Sequence, residues 1–195
     1  MKKTDVIEFF DSLAENWDRE AEKNTEKVNK ILDFAGVGEG SVVLDVACGT
    51  GILIPDYLAR GVKKCIAVDI SPKMVEIAKK KYERYGNVEV ICDDAETLKL
   101  VDKVDSIVVY NAFPHFADRE RLFKNLSTLL KSGGRITVAH GMSRKALIAH
   151  HSGRAETVST ILPDIPEMKA LMGEWICVDV AVSNDDLYVV SGKIK

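Results

Sequence analysis

The sequence of 195 residues lacks the features that mark several classes of protein. It has no run of basic residues that would mark a phosphate-backbone track, and 27 Lys and Arg against 30 Asp and Glu give a net charge of -3, so we expect no nucleic-acid partner. No apolar stretch approaches the length of a membrane span, so we expect a cytoplasmic protein without membrane association. The four cysteines form no Cys-x-x-Cys pair, which argues against a zinc site or a disulfide framework.

Two nucleotide-binding signatures are also missing. Where a glycine-rich turn follows an apolar run, a dinucleotide fingerprint would need a third glycine at the position of Ile54. A phosphate-binding P-loop would need Gly-Lys-Ser/Thr, and none follows. The pattern therefore disfavours a nicotinamide oxidoreductase, which stays open as an alternative.

The length and a hydrophobic content of 46% fit one α/β domain with a sizeable core and are too small for two ordinary domains. We expect a single domain over 1–195, with an N-terminal helical lid at 1–36 and an α/β core at 37–195. Within the core, the segment 141–163 is the expected variable part on the substrate side. We expect a monomer or a homodimer.

The stretch 42–51, VVLDVACGTG, predicts a buried strand that ends in an acidic residue and turns through glycines into a helix. Gly49 and Gly51 mark the turn. Without a Cβ atom there, a ligand can approach the backbone, and the next helix offers unpaired N–H groups. We therefore expect a ligand site, although an ordinary strand-turn-helix would show the same pattern.

This stretch resembles the first motif of the class I S-adenosylmethionine-dependent methyltransferases, usually Asp/Glu-x-Gly-x-Gly-x-Gly. Asp45, Gly49 and Gly51 are in place, whereas Ala47 stands where the family has its first glycine. The added methyl group would lie near the methionine part of the cofactor. The resemblance is to the small-molecule type of these enzymes, covers nearly the whole chain and implies S-adenosylmethionine as cofactor.

The resemblance also implies the fold. Further strands are predicted at residues 64–70, 87–92, 104–110, 135–140, 175–180 and 187–190. Seven strands match the family's Rossmann-like, mostly parallel sheet of order 3-2-1-4-5-7-6, with the last strand antiparallel and helices on both faces.

Asp69 ends the second predicted strand, 18 positions after Gly51. Nucleotide-binding α/β folds place an acidic residue near this separation to bind the ribose hydroxyls. The alternative is a solvated or helix-capping carboxylate, because Ser71 and Pro72 start a helix immediately afterwards.

The segment 93–95 looks like the family's Gly-Asp-Ala motif, with Asp93 in place of the glycine. On that resemblance Asp94 accepts the adenine amino group and the Ala95 N–H donates to the ring, while Met74 covers the base. Which aspartate acts is left open, and an Asx-type turn is the alternative.

The segment 9–18 is similar to the family's entry segment, F-D-x-x-A-x-x-Y/W-D, which closes over the cofactor, so Trp17 is interpreted as stacking there. Ordinary packing of Trp17 is the alternative. The implied cofactor site comprises Trp17, Asp45, Ala47, Cys48, Gly49, Thr50, Gly51, Asp69, Ile70, Met74, Asp94, Ala95 and Asn111.

The loop 111–116, NAFPHF, resembles the N-x-x-H-H/F segment that faces the transferable methyl in small-molecule methyltransferases. It does not match Asn/Asp-Pro-Pro-Tyr/Phe, which argues against a nucleobase or glutamine acceptor. His115 and His140 each follow a central strand, so we predict that they meet as catalytic bases beside the methyl group.

The predicted acceptor-binding residues are Phe113, Arg144, His150 and His151. A metal held by His115, His140 and one histidine of the adjacent pair is an alternative, although no short ligand spacing supports it. The chain is therefore predicted to methylate a small acceptor. A methyltransferase-like protein that binds the cofactor or its product without turnover is the main alternative.

Overall fold

The computed structural model describes residues 1–20, 23–151 and 155–195, with the side chains of Glu20, His150 and His151 left aside. Its strands are β1 (Val42–Val46), β2 (Lys64–Asp69), β3 (Val88–Cys92), β4 (Val104–Tyr110), β5 (Leu130–His140), β6 (Ile176–Ser183) and β7 (Tyr188–Ile194). Its α-helices are α1 (Lys3–Leu13), α2 (Trp17–Glu20), α3 (Thr25–Phe34), α4 (Ile54–Ala59), α5 (Pro72–Tyr82), α6 (Arg119–Leu129), α7 (Arg144–His151) and α8 (Ile165–Met172).

The seven strands form one sheet in the order β3-β2-β1-β4-β5-β7-β6. Strand β7 is antiparallel to both of its neighbours, and the other pairs are parallel. The predicted order and the antiparallel last strand are confirmed. Because the chain moves outward in opposite directions from β1 and β4, a crevice opens at their carboxyl ends, where ligands bind in such sheets.

Strand β5 is longer than predicted. It begins at Leu130, which pairs with Val104, and the next pair along the ladder joins Arg135 to Ser106. The glycine turn at 131–134 is therefore a bulge within the strand. Gly133 adopts a φ of +74° there, a conformation that glycine takes at no steric cost.

The central strands β1, β2 and β4 are buried on both faces, and their successive side chains alternate between two parts of the core. Leu44 and Val109 belong to the core under α6 and α8, whereas Val43 and Val108 pack with α3, α4 and the end of α5. In the described part of the chain, none of the helices has both the length and the apolar character that a bilayer crossing requires. The sequence also predicts that the helix after β5 begins at Ser143 and ends at Gly153. Gly153 lies outside the described residues.

Candidate functional site

A cavity of about 700 Å³ lies at the carboxyl ends of the central strands. Its floor follows β1, β2, β3 and β4, and α1 covers it with Val6, Phe9, Phe10 and Leu13. The predicted cofactor residues that line it are Trp17, Ala47, Cys48, Gly49, Asp69, Ile70, Met74, Asp94, Ala95 and Asn111. The volume falls within the range of small-molecule sites.

Asp69 is the best-anchored polar group of this cavity. Its Oδ2 accepts from the Gly49 N–H and its Oδ1 from the Ser71 N–H, both at 2.8 Å. Burial raises the pKa of Asp69, and these backbone N–H groups act in the opposite direction. A carboxylate has about four acceptor sites, and the backbone N–H groups of Gly49, Ile70 and Ser71 act on this one, so acceptor capacity remains for a ligand hydroxyl.

Two residues that are not glycine adopt left-handed backbone conformations at this edge of the sheet. Ala47, after β1, has a φ of 56°, and Asn111, after β4, has a φ of 53°. The side chain of Asn111 offsets the strain of this backbone conformation, because its Oδ1 accepts a hydrogen bond from the Gly141 N–H at 2.9 Å. The methyl side chain of Ala47 cannot form such a bond, which explains in physical terms why related motifs use glycine at this position.

We expect Ala47→Gly to raise the free energy of unfolding by about 0.5–1 kcal/mol. Relief of roughly 1–2 kcal/mol of left-handed strain outweighs roughly 0.4–1 kcal/mol of added freedom in the unfolded chain. Urea unfolding followed by circular dichroism measures the difference. Asn111→Gly is the comparison, because loss of its hydrogen bond to Gly141 should cancel the gain. An Ala47→Gly protein no more stable than its parent would contradict the strain argument.

Three predicted cofactor residues lie beneath the cavity and do not line it. Asp45 is 2% exposed, and burial raises its pKa to about 8, with the charge of Asp69 adding to the rise and the Tyr57 hydroxyl opposing it. Thr50 is fully buried and donates to Asp18 Oδ1 at 2.5 Å. Gly51 lies against Tyr82, which donates to the Gly51 carbonyl at 2.9 Å. The side chains of Asp45 and Thr50 and the Gly51 backbone support the turn from below.

At the β2–β3 side the cavity is acidic. Asp93, Asp94 and Glu96 all line it, beside the buried Met74. Asp94 Oδ1 accepts from the Glu96 N–H at 2.9 Å, and Asp93 Oδ1 accepts from the Asp94 N–H at 2.7 Å. The loop therefore has the Asx-type geometry that was the alternative, and both aspartates still border the cavity.

At the β4–β5 side the cavity is apolar and aromatic. The Phe10 ring lies edge-on to His115 at 4.9 Å and to Trp17 at 5.7 Å between ring centroids. His115 Nδ1 lies 2.8 Å from the Val158 carbonyl oxygen and 3.2 Å from Ser159 Oγ. Only a protonated Nδ1 can donate to a carbonyl, so the neutral imidazole has its basic nitrogen at Nε2.

The prediction that His115 and His140 meet is wrong. His140 is fully buried, and its ring lies 6.3 Å from that of Tyr188, its partner across the β5–β7 ladder. The cause is the alternation of β5, which places His140 on the same face as Ile136 and Val138 in the core beneath α6 and α8. His115 alone of these two lines the cavity.

Two predicted acceptor residues also lie elsewhere. Phe113 is fully buried against Phe123, with their ring centroids 5.5 Å apart. Arg144 Nε donates to the Leu162 carbonyl at 2.8 Å, and Arg144 does not line the cavity. The side chains of His150 and His151 lie outside what is described. Within the described residues, no three His, Cys, Asp or Glu side chains are grouped as a metal site requires.

The prediction did not include several residues that line the cavity. They are Met1, Lys2, Lys3, Val6, Phe9, Phe10, Leu13, Tyr110, Phe116, Met142 and Leu147, among others. Phe116 stands in the loop 111–116 that was singled out, so its motif carried a usable signal. The apolar residues of α1 indicated that this helix packs against other parts of the protein, but not that it covers the cavity.

Residues 44–138 match the family described as Methyltransferase domain. The chain is 35% identical over 136 residues to malonyl-[acyl-carrier protein] O-methyltransferase 1 of Ilyobacter polytropus, covering 69% of this chain and 51% of that protein. It is 28% identical over 186 residues to the ubiquinone/menaquinone biosynthesis C-methyltransferase UbiE of an Enterobacter species, covering 89% and 73%. The chain thus spans about half the length of the malonyl-[acyl-carrier protein] enzyme.

Solved structures show the same fold at low identity. The magnesium protoporphyrin IX methyltransferase of Synechocystis, solved with bound S-adenosylhomocysteine, superposes with a TM-score of 0.75 at 18% identity and full coverage of both chains. A putative methyltransferase in complex with the Haloferax volcanii Trm112 methyltransferase activator gives a TM-score of 0.77 at 19% identity, covering 95% of this chain and 97% of that one.

The sheet order and the cavity at its switch point define a Rossmann-like methyltransferase fold. Together with the matched domain and relatives, they establish the family. The chain belongs to the class I S-adenosylmethionine-dependent methyltransferases. Members of this family are enzymes that use S-adenosylmethionine as cofactor, and the relatives of this chain include small-molecule methyltransferases.

Proposed function

We propose that the protein transfers the methyl group of S-adenosylmethionine to a small acceptor by in-line displacement. Asp69 carries the proposal, because a buried carboxylate fixed by the Gly49 and Ser71 N–H groups lines a cavity at the switch point. When bound, the cofactor supplies an electrophilic methyl group on its sulfonium. The protein contributes mainly by holding the two reactants in line and excluding water.

The residues present fit this cofactor. Asp69 would accept from the ribose hydroxyls, and Asp94 with the Ala95 N–H would contact adenine. Gly49 leaves room for the methionine part, since a Cβ atom there would lie only 3.4 Å from Trp17 Nε1. Cys48, Ile70, Met74 and Asn111 complete the wall around it.

The walls at the β4–β5 side favour a small, largely apolar acceptor. They are formed by Phe9, Phe10, Leu13, Phe116, Met142 and Leu147. Burying a charged acceptor against these side chains without a partner would be costly. We therefore propose that a neutral hydroxyl or thiol reacts there and that His115 Nε2 takes its proton.

His115→Ala should lower turnover about 10²–10⁴-fold, the usual contribution of a general base, with the dissociation constant of S-adenosylhomocysteine changed less than about twofold. His140→Gln is the comparison: because His140 lies in the core, this variant should lose stability and keep its turnover per folded molecule. Steady-state kinetics on an identified acceptor decide between them. Full turnover in the His115 variant would remove it from the reaction.

Three measurements test the proposed function itself. Calorimetric titration with S-adenosylmethionine and S-adenosylhomocysteine tests binding, and mass spectrometry of co-purifying small molecules identifies a natural ligand. Release of S-adenosylhomocysteine with a panel of phenols, thiols and amines then tests turnover. Binding without turnover of any panel member would favour the non-catalytic alternative, and no binding would reject the proposal.

We also propose a single domain in which the part of 1–36 before α3 acts as a lid, because α3 packs in the core, and in which the described part of 141–163 forms an acceptor-side wall. The lining by α1 supports the lid, and lining by Met142 and Leu147 supports the wall. A monomeric or homodimeric state and a cytoplasmic location stay predictions.

A further inference from the structure

One lysine joins the start of α1 to the acidic end of the cavity. Lys3 Nζ donates to Asp94 Oδ2 at 2.5 Å and to Glu96 Oε2 at 2.6 Å. The Glu96 side chain is 2% exposed, so this ion pair is shielded from water on the carboxylate side. Burial by itself would lower the pKa of Lys3, but hydrogen bonds and charges from both carboxylates outweigh it and raise that pKa.

Asp11 and Asp18 of the N-terminal segment make polar contacts with residues that do not line the cavity. Asp11 Oδ1 accepts from Ser71 Oγ at 2.5 Å and from the Lys73 N–H at 3.1 Å, at the start of α5. Asp18 accepts from Thr50 and from Lys81. The Lys3 contact differs from these, because both of its carboxylates line the cavity at the end where adenine is proposed to bind.

We propose that Lys3 is a positioning residue that latches α1 over the adenine end of the cavity through Asp94 and Glu96. The cofactor product leaves only after this ion pair opens. The adenine amino group needs an acceptor at Asp94, and Glu96 keeps Lys3 in place while Asp94 serves both donors. The identity of the departing ligand rests on the proposed function, whereas the latch itself rests on the ion pair.

The test compares the dissociation rates of labelled S-adenosylhomocysteine from the parent and from three variants. At an ionic strength of about 0.01 M, Lys3→Met should release it roughly fivefold faster than the parent, while Lys3→Arg should restore slow release. Lys80→Met removes an exposed lysine that pairs with Glu76 on α5 and should change nothing. In about 1 M salt the parent should approach the Lys3→Met rate, because screening weakens the ion pair.

A double variant separates the latch from a general loss of charge. Glu96→Gln keeps the contact of Lys3 with Asp94, so it should speed release by less than Lys3→Met does. The two changes together should be no faster than Lys3→Met alone, since Lys3→Met already removes both contacts. Release at the parent rate from Lys3→Met would overturn the proposal. Slower release would overturn it too and would make Lys3 a competitor of adenine for Asp94.

Hydrogen exchange of the ligand-free protein tests the latch independently of cofactor binding. Amides of α1 should exchange faster in Lys3→Met than in the parent, with Lys3→Arg and Lys80→Met unchanged. If the parent fails to bind S-adenosylhomocysteine, the proposed function fails while this measurement still judges the latch. Unchanged exchange in Lys3→Met would reject the latch by itself.

Discussion

Asp69→Ala is expected to weaken binding of S-adenosylhomocysteine by roughly thirtyfold or more. Hydrogen bonds to a charged carboxylate contribute about 1.5–3 kcal/mol, and about 2 kcal/mol corresponds to that factor. The variant also leaves the Gly49 and Ser71 N–H groups without their acceptor, so the turn after β1 loses its support. Calorimetric titration gives the dissociation constant, and urea unfolding gives the accompanying loss of stability.

Asp105→Ala provides a matched control for this loss. Asp105 also accepts a backbone N–H at 2.8 Å, from Val42, and pairs with Lys131 at 2.8 Å, but it stands at the opposite end of the sheet. Its removal should cost stability and leave the dissociation constant unchanged. Should Asp69→Ala and Asp105→Ala behave alike in binding, Asp69 would be a structural carboxylate and the ribose assignment would fall.

The carboxyl ends of the strands were predictable because their signals are local. An apolar run that ends in an acidic residue before a turn or helix-start signal gives both the strand and its end: Gly49 follows Asp45, and Ser71-Pro72 follows Asp69. Parallel pairing then brings these ends to one edge of the sheet. The strand order was not local information and came from the resemblance.

Side-chain direction at a strand end was not predictable in the same way. His140 and Asn111 both follow central strands, yet only Asn111 lines the cavity. A shift of one residue in the strand register moves a side chain from the crevice into the core. The positions of the histidines in the sequence do not indicate that register. The prediction for Phe113 was wrong for a related reason: in the single-turn helix Phe113–His115, Phe113 is buried against Phe123 whereas His115 lines the cavity.

The covering helix was predicted only in outline. The resemblance implicated Trp17, and its position beside Gly49 accords with that expectation. Lys3 lies 91 residues before Asp94, so no local spacing joins them. The fold brings the end of β3 and the start of α1 together, and this long-range ion pair therefore escaped sequence reasoning.

Gly51→Val is expected to lower the free energy of unfolding by about 3–5 kcal/mol, the sum of left-handed strain and overpacking. The backbone has a φ of +82°, and an added Cβ atom would lie 2.6 Å from Tyr82 Cε2 and 2.7 Å from Ile54 Cδ1. Sequence reasoning assigned this intolerance to cofactor access, whereas the neighbours of Gly51 are core side chains. Urea unfolding and gel filtration should therefore show a destabilised protein before any titration is attempted.

Gly49→Ala is the matched comparison, because Gly49 has a similar φ of +56° but lines the cavity. Its added Cβ atom would meet Trp17 Nε1 at 3.4 Å, a contact that a small shift accommodates. We expect a loss of only about 1–2 kcal/mol in stability, from the backbone conformation, together with weaker cofactor binding. The two substitutions should thus have different effects: Gly51→Val destabilises the fold, whereas Gly49→Ala mainly weakens cofactor binding. A stable Gly51→Val protein that no longer binds the cofactor would reverse this assignment and return Gly51 to the cavity wall.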